Sequence, residues 1–83
     1  RIALRVLSDM NFDVKTVICT QPVSGAIRLR CVVSDIPQST SLLRLTASLS
    51  SEIGAEMCPP KIRETPDGKE LIFVRKEIFD LLI

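Results

Sequence analysis

Apolar positions near the start of the chain fall at helical spacing. Ile2, Ala3, Val6, Leu7 and Met10 line one side, with Arg1, Arg5 and Asp9 on the other. This is the recurrence of an amphipathic helix over 1–10. Asn11 is a natural stop, because asparagine tolerates the left-handed conformation that ends helices. The following FDVKTVICT is rich in β-branched residues and alternates only loosely, which predicts a strand over 13–20. QPVSG then supplies Pro22 and Gly25, the punctuation of a hairpin loop. AIRLRCVVS alternates cleanly, with Ile27, Leu29, Cys31 and Val33 facing one way and Arg28, Arg30 and Val32 the other. It predicts a strand over 26–34 with one face on a core.

The period returns to helical after Asp35, Pro37, Ser39 and Thr40, all residues suited to a helix start. Leu42, Leu45, Thr46, Leu49 and Ile53 form the apolar stripe of a helix over 39–53, and Gly54 is placed to terminate it. Pro59 and Pro60 bar continuation and suit the approach to an edge strand over 60–65. Pro66, Asp67 and Gly68 make a tight turn, with Gly68 supplying a positive φ. The last strand, 69–75, contains Leu71, Ile72, Phe73 and Val74 in succession, so both of its faces are apolar. EIFDLLI reads as the start of a further helix over 77–83.

The resulting order is helix, strand, strand, helix, strand, strand, helix. One shift along the chain lays Leu7 on Leu49, Leu29 on Leu71 and Cys31 on Phe73, which suggests two equivalent helix–hairpin units. The split-βαβ sandwich runs strand, helix, strand, strand, helix, strand. Moving its first strand to the C-terminus produces the order found here. The expected fold is therefore an α+β two-layer sandwich, ferredoxin-like in circularly permuted order (αββαββ), with a four-stranded, antiparallel-rich sheet over 1–76. A C-terminal helix would begin at 77. The 69–75 strand would lie between 60–65 and 26–34, a central place where two apolar faces are expected. Leu71 and Phe73, with Ile27, Leu29 and Cys31, would pack beneath the helices. Ile72 and Val74, beside Arg28, Arg30 and Val32, would form the opposite face.

Composition narrows the function classes. Eighty-three residues make one domain with a modest core. The formal net charge of +1 gives no global field for nucleic acid or a membrane surface. No uninterrupted apolar run exceeds Leu71–Val74, far short of a membrane-spanning helix. Because residue 1 is arginine and the helical pattern is already under way there, the chain is expected to be a piece of a longer protein. Cys19, Cys31 and Cys58 are too widely spaced for a paired metal motif, and histidine is absent. Their odd number and lack of pattern favour free, buried thiols in a reducing compartment, hence a cytoplasmic location.

Residues 2–58 resemble the later two-thirds of an ACT-like regulatory domain. LRVLSDMNFDVKTVICTQPVSGAIRLRCVVSD looks like that family's helix, turn, strand, Gly-bearing hairpin and returning strand, and LLRLTASLSSEIGAE like its second helix. The resemblance implies a domain that binds a small molecule at a subunit interface and controls an attached enzyme or transcription factor. That family's leading strand and ligand-binding turn have no counterpart in this chain, so no site residue carries over. The doubled helix–hairpin order is also similar to the permuted ferredoxin-like modules of bacterial secretion and pilus platforms, which dimerise.

Catalytic chemistry finds little support. The usual general base and most stacking platforms are missing, since His, Tyr and Trp do not occur. Asp67 and Glu70 flank a turn, where an aspartate beside glycine ordinarily serves backbone geometry. Ser24-Gly25 lacks the nucleophile-elbow pattern, and the isolated glycines form no phosphate-cradling loop. No enzyme activity, cofactor or metal is expected. Arg28, Arg30, Arg75 and Lys76 are candidates for a basic patch, but the aromatics that nucleic-acid binding would need are not interleaved among them. The expectation is a protein-interaction or assembly module whose partner is a second copy, or another domain of the parent protein. Its contacts would be Arg28, Arg30, Val32, Ile72 and Val74 on the open sheet face, and Ile78, Phe79 and Leu82 on the C-terminal helix. A small-molecule regulatory domain is the first alternative and a nucleic-acid-binding domain the second.

Overall fold

The computed structural model describes residues 2–20 and 27–76. The expected helix over 77–83, including Ile78, Phe79 and Leu82, and the hairpin loop with Ser24 and Gly25 lie outside the described residues. Within them the order is α1 (Ile2–Asp9), β1 (Val14–Thr20), β2 (Arg28–Val33), α2 (Leu42–Ile53), β3 (Lys61–Thr65) and β4 (Gly68–Val74). The four strands form one antiparallel sheet in the order β1-β2-β4-β3, so β4 is central.

Local chemistry explains the element ends. Asn11 takes the left-handed conformation at φ 68°; its N–H bonds the Ser8 carbonyl at 3.0 Å, and that of Phe12 bonds Leu7 at 3.0 Å. This is a Schellman closure that also buries the Phe12 ring. Ser41 caps α2, its hydroxyl accepting the Arg44 N–H at 3.3 Å. The helix therefore starts at Leu42, after the residues from which its start was expected. Gly54 is left-handed at φ 80°, and its N–H and that of Ala55 both reach the Ser50 carbonyl. Gly68 has φ 140°, and a Cβ there would lie 2.1 Å from the Val33 carbonyl oxygen. Only glycine fits so close to β2.

Both helices pack on one sheet face. The core joins Ala3, Val6 and Leu7 of α1 and Leu45 and Leu49 of α2 to Leu29, Cys31, Val33, Leu71 and Phe73 of the two central strands, with Phe12 and Met57. Leu7 and Leu49, Leu29 and Leu71, and Cys31 and Phe73, which the internal shift superposed, are all buried. The loose alternation of β1 has a cause. A bulge between Val14 and Thr16 inserts Lys15, which puts Val14 on the same face as Val17. Ile2, expected on the packed side of α1, is instead 43 % exposed.

Candidate interaction surfaces

The sheet face away from the helices is built by register. Arg28 pairs with Val74, Arg30 with Ile72 and Val32 with Glu70 on β2 and β4. Directly opposed residues share a face, so Arg28, Arg30, Val32, Ile72 and Val74 come together as the alternation predicted. β1 adds Thr16, Ile18 and Thr20, and β3 adds Lys61, Arg63 and Thr65. Val32, Ile72 and Val74 are half-buried and Ile18 is exposed. Among the described residues, both helices pack on the other face.

At the middle of this face lies a group that the sequence marks only as a carboxylate flanking a turn. Glu70 is 3 % exposed. Its Oε2 receives Arg30 Nε at 3.1 Å and Nη2 at 2.9 Å, and its Oε1 lies 2.8 Å from Arg63 Nη2. The Arg63 contact is an ion pair not aligned as a hydrogen bond, which leaves Oε1 without one among the described residues. Three strands are thus clamped by one carboxylate, which pairs with two guanidiniums of the open face and offsets one of their two charges. Strand parity carried the signal: Arg30 and Glu70 fall on one face once β2 and β4 pair. The basic patch of Arg28, Arg30, Arg75 and Lys76, set aside on the sequence, is divided among different neighbours. Arg75 sits in a bridge opposite Met57, and Lys76 is 3.5 Å from Glu56.

The two sheet edges differ in chemistry. β3 reads KIRET and follows Pro59 and Pro60; charge and proline are the usual devices that stop an edge from pairing. β1 carries Lys15 at its bulge, but Thr16 to Thr20 are uncharged, and Ile18 (47 %) and Cys19 are exposed. Beside this edge, on the helix side, runs an apolar groove of about 680 Å³. Ile2 and Leu4 of α1, Val17 and Cys19 of β1, Ile27 and Ile53 line most of it.

The thiols occupy three environments. Cys31 is fully buried, and burial, with Cys19 adding to it, pushes its thiol up to about 11. Cys58 is half-buried and Cys19 exposed, so only Cys31 matches the expectation of buried thiols; none is in a disulfide. Position in the sheet decides this, since Cys31 is on a central strand and Cys19 on an edge. Asp67 is exposed at the β3–β4 turn, whereas Glu70 is inside the ion-pair cluster. Among the described residues no three His, Cys, Asp or Glu side chains are grouped to hold a metal ion. No described helix is long and apolar enough to cross a membrane. No protein-family model, curated protein or solved structure matches the chain.

Proposed function

We propose that this domain is a non-catalytic assembly module, joining its parent protein to a second copy or to another domain. The observation that supports the reading is the asymmetry of the sheet: one edge blunted by charge and proline, the other uncharged and bordered by an apolar groove. An exposed edge offers main-chain donors and acceptors, and a groove beside it offers pockets for alternate side chains. The half-buried Val32, Ile72 and Val74 supply a second apolar area, which Arg28 and Arg30 border. Free thiols are consistent with the reducing cytoplasm for such a module.

Sedimentation equilibrium over a wide concentration series tests the reading. The expected result is a mass that rises towards the dimer, and that falls back with Ile18→Lys but not with Ile62→Lys on the blunted edge. A monomer at every concentration, with no other domain of the parent protein binding, removes the proposal.

The groove favours one alternative, a small-molecule regulatory domain of ACT type, because its volume lies within the usual range of ligand sites. A rise in melting temperature with an apolar amino acid, abolished by Leu4→Lys, is what that alternative expects. A nucleic-acid role is weakened by Glu70, which occupies Arg30 and Arg63.

A further inference from the structure

The same uncharged edge specifies a partner more narrowly than assembly alone requires. An added antiparallel strand must match five residues, Thr16 to Thr20, because the bulge at Lys15 ends the regular edge. Within them Val17 and Cys19 face the helix side and line the groove, while Thr16, Ile18 and Thr20 face the open side. Any partner strand therefore needs small apolar side chains on one face and an apolar residue flanked by hydroxyls on the other. The segment itself, TVICT, has that pattern.

We propose that a second copy of this chain pairs through β1, on a two-fold axis through Ile18 that makes one continuous eight-stranded sheet. This rests on the assembly reading and adds the partner, the register and the closure of the groove. Pairing a residue with its own counterpart keeps the helices of both copies on one side of the sheet, since opposed residues must share a face. With Ile18 at the centre, Ile18 meets the second copy's Ile18, Thr16 meets its Thr20, and Val17 meets its Cys19. Every apolar side chain then faces an apolar one. Centring on Val17 instead would set Ile18 against Thr16 and leave Cys19 opposite the bulge, and centring on Cys19 would set Ile18 against Thr20. The interface is isologous, as a closed two-fold dimer requires. The two grooves become neighbours, and the exposed Ile2 (43 %) and Leu4 (46 %) of each α1 lose solvent across the axis. Five paired residues bury less than the roughly 1,200–2,000 Å² of a stable interface, so the α1 side chains are part of it and the association is concentration-dependent.

Oxidative cross-linking reads the register directly. Directly opposed cross-strand residues have Cα atoms about 4.5–5.5 Å apart, within the range a disulfide spans. Val17→Cys should therefore link to the second copy's Cys19 and run as a covalent dimer on a non-reducing gel, whereas Val17→Cys combined with Cys19→Ser should not. Ile18→Cys with Cys19→Ser, at an exposed position that leaves the core untouched, should link to itself. In solution Ile18→Lys should weaken self-association about a hundredfold, as like charges meet on the axis. A link in the Val17→Cys, Cys19→Ser protein would establish the Val17 register and overturn the proposal, as would efficient Cys19–Cys19 linkage in the unaltered chain. Self-association without any of these links would overturn the β1 pairing while leaving the assembly reading in place. A chain that stays monomeric alone and binds another domain of its parent would do the same.

Discussion

Glu70 shows how strongly a side chain depends on its neighbours in space. A carboxylate 3 % exposed would be costly alone, and here two arginines from the flanking strands compensate it. Arg30 makes two contacts to Oε2 with its side chain 33 % exposed, while Arg63 makes one contact at 59 %. Arg30→Ala should therefore destabilise by about 1–2 kcal/mol and Arg63→Ala by under about 1 kcal/mol. Urea unfolding of the two variants and the Glu70→Gln double mutants measures the difference; equal losses would refute the ranking. Cys31 supplies a pH signature. Its folded thiol titrates near 11 against an ordinary 9.0, so the folded state holds the proton more tightly than the unfolded one. Its contribution to stability is whole below about pH 9 and drains away as pH rises towards 11. Cys31→Ala should lower stability at neutral pH and flatten that alkaline decline, and thiol alkylation at pH 8 should label Cys19 well before Cys31.

Helix and turn ends rest on single residues with positive φ, and these give opposite predictions. Asn11 at φ 68° closes α1, and glycine adopts that conformation with less strain. Asn11→Gly should raise stability by up to about 1 kcal/mol, and Asn11→Ala should lower it by about 1 kcal/mol. Gly68 combines φ 140° with the Val33 carbonyl against its α-carbon. Gly68→Ala should cost about 2–3 kcal/mol, since either the turn or the β2–β4 pairing must shift. Thermal melts of the three proteins check both signs. The Asn11 and Gly54 stops, the Pro66–Gly68 turn and, Ile2 apart, the two helix stripes were legible, because each depends on residues close in sequence. The start of α2 was less so: several residues between Asp35 and Ser41 suit a cap, and the choice of Ser41 depends on how the helix seats on the sheet. The bulge at Lys15 was legible only as imperfect alternation, since a bulge is defined against the strand it pairs with.

Across the whole domain, the two faces of β4 should answer differently to the same change. Val74 is half-buried on the face to which neither described helix packs, while Phe73 is fully buried. Val74→Asp should keep the fold and the cooperative melt. Phe73→Asp should abolish both, because burying a carboxylate in a core this small exceeds the few kcal/mol that hold such a domain. Circular dichroism on heating distinguishes them, and a folded Phe73→Asp protein would mean the packed face is misassigned. The sequence by itself determined the order of the six described elements, the two faces of β2 and β4 and the central place of β4, because alternation and an unbroken apolar run are properties of consecutive residues. Only the tertiary structure decided that Glu70 is a buried hub and that Cys31, but not Cys19, is sealed from solvent. It alone showed that, among the described residues, the β1 edge is uncovered beside a groove while the β3 edge is defended. Those features arise where residues far apart in the chain meet, and their energies depend on distances that no local pattern encodes.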